Sequence, residues 1–161
     1  MSWQEQAWGL ACVVLAMVLG GSIGLEREFA HKPAGLRTHM LVAGAAALLV
    51  GLTNAIIERF ATGPDVSPLV RADPVRIISA VVTAVGFIGA GTIIRRHRGD
   101  QVEGLTTAAS MLFVAIIGVA SGLRQFVLAV GATALTLLIL RGVRVIEIRL
   151  DRRRDGASSR G

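Results

Sequence analysis

The sequence predicts an all-α membrane protein: a bundle of five transmembrane helices, with the amino terminus outside and the carboxyl terminus in the cytoplasm. Three observations carry that expectation. Apolar residues make up 53% of the chain and charged residues only 17%, against about a quarter charged in an ordinary soluble domain. The apolar residues gather into five nearly uncharged windows, each near the roughly 17–25 residues that a helix needs to cross a hydrocarbon core. Basic residues, finally, are divided unevenly between alternate connections, as orientation in a membrane requires.

The first window, residues 7–25, carries no charge. The segment that opens it, MSWQEQAWGL, lacks the basic region and small-residue cleavage site of a secretory signal. The first helix is therefore expected to be retained, with Trp3 and Trp8 as interfacial anchors. Cys12, inside it, reads as a small packed residue. Residues 26–37 form a short connection in which Pro33 and Gly35 mark turns, and the second window follows at 38–57. The next connection holds Gly63, Pro64, Pro68 and Pro74. At its end Asp73 is suited to cap free backbone amides, while Pro74 suits a first helical position that needs no donor. That starts the third helix, whose window is 77–94.

A basic turn, RRHRGDQVEG, leads to the fourth window at 105–123. Only Arg124 separates it from the fifth, so these two helices are expected to form a tight hairpin. The fifth is short, since residues 125–140 supply only 16 uncharged positions. The spacing of Arg141, Arg144, Glu147 and Asp151 extends it as a charged, solvated helix, giving a helix of about 125–145 and a transmembrane domain of 1–150. Residues 151–161, DRRRDGASSRG, read as a mobile basic tail.

Four Lys and Arg lie in the compartment of the amino terminus and thirteen in the other, which the positive-inside rule assigns to the cytoplasm. The net charge of +6 and pI near 11.4 would suit nucleic acid, but the bases sit at helix ends, where anionic lipid headgroups account for them. No nucleic acid partner is expected; the lipid bilayer is. Small residues recur at four-residue spacing in Gly20/Gly24, Ala43/Ala47/Gly51, Gly86/Ala90 and Gly118/Gly122. Such faces let helix backbones approach closely, either inside the bundle or between two chains as a homodimer.

The distinctive stretches fall on the cytoplasmic side. GLERE ends the first helix there, KPAGLRTH opens the second, GFIGAGTI ends the third and EGLTTAAS opens the fourth. Anchoring needs bases and has little use for acids, and an acid near hydrocarbon is costly unless partnered. Glu26, Arg27, Glu28, Lys32 and Arg37 therefore read as a paired network locking the first two helices, and simple interfacial charge is the plainer alternative. Glu26 and Glu28 lie about 200° apart on a helix, so only one can face the bundle. Gly86, Gly89 and Gly91 are expensive in a helix interior and imply close approach or unwinding near Thr92. Thr106, Thr107 and Ser110 cover the start of the fourth helix, Thr106 and Ser110 on one face. Asp73 and Arg76 read as a cap and a local ion pair at the opposite end. His31, His39 and His97 are assigned to turns. No pair of groups proposes catalysis, so no enzyme is expected.

These residues resemble the membrane domain of the MgtC/SapB family. The resemblance rests on GGSIGLERE (20–28), KPAGLRTHMLV (32–42), DPVRI (73–77), GFIGAGTII (86–94) and GLTTAAS (104–110), in the family's order. It covers about residues 10–125, and many members continue into a cytoplasmic domain beyond the length seen here. The resemblance implies a bacterial inner-membrane protein connected with magnesium homeostasis and, in pathogens, virulence. Its charged signature falls on Glu26, Arg27, Glu28, Arg37, Asp73 and Arg76, and its glycines on Gly86, Gly89 and Gly91. Some members have Asn where Thr106 stands and Trp-Cys where Leu112 and Phe113 stand.

Two functions follow as expectations. One is a regulator acting through membrane protein partners, among which the resemblance includes the rotary ATP synthase. The other is a Mg²⁺ transporter or channel, in which Glu26 and Glu28, with glycine carbonyls near Gly89 and Gly91, supply part of the oxygen shell that Mg²⁺ requires. No acid lies in the middle of a span and the inner mouth is ringed with arginine, which favours regulation. Beyond Mg²⁺ as possible cargo, no cofactor is implied.

Overall fold

A computed structural model describes residues 2–60, 74–95 and 102–158, with side chains for 2–57, 75–93 and 102–142. Five helices account for nearly all of it: α1 (Trp3–Phe29), α2 (Leu36–Phe60), α3 (Pro74–Gly91), α4 (Leu105–Gly122) and α5 (Phe126–Ser158). A two-residue antiparallel ladder joins β1 (Ile94–Arg95) to β2 (Val102–Glu103) between α3 and α4. The sequence did not announce this ladder. Three helices are long and apolar enough to cross a membrane, Trp3–Phe29, Leu36–Ile57 and Leu105–Gly122, while Val75–Gly91 and Phe126–Gly142 are shorter apolar helices.

The helix limits differ from the apolar windows for local reasons. α1 begins earlier because Ser2 and Glu5 form a capping box: the Ser2 hydroxyl accepts from the Glu5 amide and Ser2 N–H donates to Glu5 Oε2 at 2.6 Å. Two amides that a helix start leaves unpaired are satisfied in this way. α1 also runs past the charged boundary at Leu25 to Phe29, because Leu, Glu and Arg are good helix formers whatever their polarity. It stops where His31 takes a left-handed φ of 53°. There His31 N–H bonds Glu28 O and Lys32 N–H bonds Arg27 O, the paired bonds of a Schellman stop.

α3 starts on Pro74 as the sequence implies, and ends at Gly91 rather than continuing to residue 94. The Thr92 hydroxyl and amide both bond Gly89 O, at 2.7 and 2.9 Å, which ties off the last turn. Gly104 then opens α4 with φ 95°. A side chain there would meet Thr92 O, so glycine serves both the backbone angle and the contact. The α4–α5 turn at Leu123, Arg124 and Gln125 is as tight as expected.

α4 packs against all four other helices. Ala16 and Ile23 of α1, Ala43 and Ala47 of α2, Val114 and Ile117 of α4 and Ala129 of α5 share one apolar cluster. On the other flank, Val81 and Val85 of α3 meet Met111, Ala115 and Val119 of α4, with Ala46 and Val50 of α2. In lipid such seams are held by close van der Waals packing and need small residues. A side chain on Gly20 would come within 2.7 Å of Ala43 Cβ and His39 O, and one on Gly24 within 2.8 Å of Leu36 Cα and His39 Cβ. A side chain on Gly118 would strike Ala43 O. These neighbours also fix the directions. α1 runs antiparallel to α2, and α4 runs parallel to α2, with Ser110 beside His39 and Gly122 beside Val50.

Candidate functional site

The directions bring the carboxyl ends of α1 and α3 and the amino ends of α2 and α4 to one end of the bundle, where the signature residues of GLERE and KPAGLRTH lie. α1 turns Glu26 and Arg27 inward. Both are almost completely buried, at 5% and 4% exposure, and Arg27 Nε donates to Glu26 Oε2 at 2.6 Å. A buried charge is tolerated when paired, and of the bases near Glu26 in the chain, Arg27, Lys32 and Arg37, it is Arg27 that is turned to it. The other oxygen, Oε1, is the one buried side-chain polar atom among the described residues without a hydrogen-bond partner.

Glu28 points away, as the 200° offset requires. It is exposed, and its Oε2 accepts from Leu36 N–H at 2.9 Å. It therefore caps the first turn of α2 from the end of α1, a position where the helix dipole also favours an acid. Glu28 thus links the end of α1 to the start of α2 through a cap. Arg37 is exposed and makes no ion pair among the described residues.

His39 lies inside α2 rather than in a turn and is fully buried. Its Nδ1 lies 2.9 Å from Gly35 O and its Nε2 lies 3.0 Å from Ser110 Oγ of α4. The Ser110 hydroxyl is 2.9 Å from Thr107 O. Hydrogen-bond accounting allows two arrangements, because Gly35 O only accepts and so takes the Nδ1 hydrogen. With Ser110 donating to Thr107 O, the neutral ring leaves Nε2 without a donor. With Ser110 turned to Nε2, the ring is neutral and Thr107 O is released.

The remaining sequence candidates divide. Thr107 is buried in this cluster and Thr106 is exposed, so the buried face of α4 runs through Thr107, Ser110 and Met111. Gly89 packs against Ala108 of α4, with 3.3 Å available to an added Cβ, whereas Gly86 and Gly91 face open space. Arg76 is exposed at the far end of α3, and Asp73 lies outside the described residues. Glu26 and Glu28 are not brought together. Among the described residues no three His, Cys, Asp or Glu side chains form a group that holds a metal. The residue missed from sequence is His39, whose signal was present: His39, Ala43, Ala46 and Val50 recur at three- and four-residue spacing on the buried stripe of α2.

The sequence profile of the MgtC family matches residues 13–149, which include every element of this cluster. The chain belongs to the MgtC family. MgtC of Brucella abortus (strain 2308) is 38% identical over 157 residues, covering 95% of this chain and 60% of that protein. MgtC of Salmonella typhimurium is 42% identical over 125 residues, covering 78% and 48%. An Escherichia coli K12 protein named "Putative magnesium transporter YhiD" is 39% identical over 140 residues, covering 86% and 61%. The chain thus spans about half to three-fifths of the curated relatives it matches. No solved structure matches. The MgtC relationship accounts for the order of motifs read from the sequence.

Proposed function

We propose that this MgtC-family chain is a five-span protein of the bacterial inner membrane, amino terminus outside, that serves magnesium homeostasis as a regulator acting on a membrane protein partner. The observation that carries the regulatory reading is how the two acids of the signature are spent. Glu26 is bound to Arg27 and Glu28 caps α2. Mg²⁺ takes an octahedral oxygen shell and keeps several waters, and two acids held apart on opposite faces of α1 do not form one.

Support for a membrane partner comes from the small-residue faces. Those of α1 and α4, and Ala43 and Ala47 of α2, are consumed inside the bundle, while Gly86 and Ala90 of α3 are exposed and no atom would meet an added Cβ at Gly86. That seam is suited to a helix of another membrane protein or of a second copy. The resemblance names the rotary ATP synthase as the partner to try first. The magnesium connection rests on the name of the Escherichia coli relative and on the resemblance. Transport of Mg²⁺ is the second reading, favoured by that same name and by the unpartnered oxygen of Glu26.

One comparison separates them: Mg²⁺ uptake by liposomes containing the purified chain, set against empty liposomes, with ATP hydrolysis by co-reconstituted ATP synthase measured in parallel. Regulation predicts no uptake and altered hydrolysis, the latter lost in Gly86→Leu. Uptake that Glu26→Gln abolishes would overturn the regulatory reading.

A further inference from the structure

The buried ion pair of α1 is only half closed. An arginine and a carboxylate that meet face on form two parallel bonds. Glu26 and Arg27, however, are adjacent on one helix, where side chains point about 100° apart and do not face each other. One arm forms: Arg27 Nε donates to Glu26 Oε2 at 2.6 Å. Glu26 Oε1 is buried with no hydrogen-bond partner among the described residues, and Nε is the one Arg27 nitrogen that bonds among them. A buried pair is favourable only when its remaining lone pairs and N–H groups are satisfied as well, and a buried acceptor without a donor bears the full loss of its hydration. A donor belongs at Oε1.

The seam between α1 and α4 supplies its surroundings. A side chain on Gly20 of α1 would lie 3.1 Å from Val114 Cγ1 of α4, and the two helices are antiparallel. About two turns further along α1 stands Arg27, and about two turns back along α4 stands Thr107, on the stripes that carry Gly20 and Val114. Arg27 and Thr107 are therefore level with each other on one seam, and both are buried. His39, the other buried titratable side chain nearby, has its two nitrogens engaged by Gly35 O and Ser110 Oγ, so it does not serve Oε1.

We propose that one buried water molecule closes the second arm of the pair. It accepts from an Nη–H of Arg27, donates one hydrogen to Glu26 Oε1 and donates the other to the Thr107 hydroxyl oxygen. About three bonds to otherwise unsatisfied polar groups are the usual complement of a buried water, and a hydroxyl oxygen has lone pairs to accept one of them. The site selects water over other donors. Glu26 and Arg27 already neutralise each other, so a metal cation would face the guanidinium, and among the described residues no three His, Cys, Asp or Glu side chains are grouped to complete its shell. A proton on Oε1 would cancel the charge with which Arg27 is paired. Water donates and leaves both charges as they are. Its place depends on the Glu26–Arg27 pair and not on the regulatory reading, and it occupies the oxygen on which the Mg²⁺ reading draws. It also joins α1 to α4 at a level where each helix holds a polar side chain inside the bundle.

Crystals of the full chain grown from a lipid mesophase, diffracting well enough to order buried waters, test this directly. One density peak is expected within about 3 Å of Oε1, of an Arg27 Nη and of the Thr107 hydroxyl. Thr107→Val has nearly the same shape, keeps the ion pair and replaces the third partner by a methyl group, so the peak should be lost. A soak in Mn²⁺, whose anomalous scattering reports a divalent ion, should place nothing at Oε1. An anomalous peak there, a protein donor on Oε1, an empty Oε1, or a peak unchanged in Thr107→Val would overturn the assignment. Infrared spectra of wild type and Glu26→Gln in lipid nanodiscs address the proton. A protonated-carboxyl band present in wild type and lost in the variant would overturn the water, and its absence from both spectra is expected. Mg²⁺ uptake by liposomes remains a separate readout, so failure here and failure of the regulatory reading are told apart.

Discussion

The two ends of the α1–α2 pair are built from the same residue types and put them to opposite use. Near the charged cluster, Gly20 and Gly24 sit where an added Cβ would come within 2.7–2.8 Å of α2 atoms, some of them backbone. Near the tryptophans, Gly9 and Gly51 face open space. A small residue in a membrane helix is therefore a permission for close approach, and whether the approach happens is decided elsewhere. At one end it is decided by polar contacts that cross between helices: Glu28 to the start of α2 and His39 to Ser110. At the other end the described contacts of α1 include a cap within α1 itself.

The comparison breaks most severely at the buried ion pair. Arg27→Met leaves Glu26 charged and alone in the interior, and should lower folding stability by about 3–5 kcal/mol, the usual effect of removing one partner of a buried pair. Denaturation in detergent followed by circular dichroism measures it. Arg124→Met, at the open end, should change the same readout little. A sharper test uses one chemical change at two glycines. Gly20→Ala puts a methyl group within 2.7 Å of Ala43 Cβ and His39 O, so overpacking should destabilise by about 1–3 kcal/mol. Gly51→Ala adds the same methyl to empty space and should be neutral or slightly stabilising, because alanine is the better helix former. If the two variants melt alike, the packed and open ends are not different. The smallest effect belongs to Glu28→Gln, which keeps an acceptor for Leu36 N–H but removes the charge at the start of α2. A loss of about 0.3–1 kcal/mol is expected, diminishing with added salt.

Much of this architecture was legible in the sequence, and the misses are physical. The five helices, the short α4–α5 hairpin and the gathering of four helix ends came from apolar windows and turn residues. The helix limits did not, because polarity and helix propensity are different properties: residues 26–29 are charged at two acids and one base yet continue α1. At the candidate site, the inward turn of one acid only followed from helix geometry. The choice of partners did not, since a sequence shows that Arg27, Lys32 and Arg37 are near Glu26 in the chain and not which of them is turned toward it. His39 was assigned to a turn because it stands at the edge of an apolar window, where a polar residue is the ordinary sign of solvent. Its burial depends on Ser110, a partner 71 residues away. The open space at Gly9 and Gly51 was equally unreadable, because small residues at a seam and at a cleft look identical until the opposite wall is known.

That long separation between His39 and Ser110 bears on how the protein is made. Ribosomes deliver α1 and α2 before α4, so the imidazole waits across 71 residues of chain for the hydroxyl it will meet. The ring's hydrogen bonding is consequently completed only when α4, the helix that touches all the others, is seated.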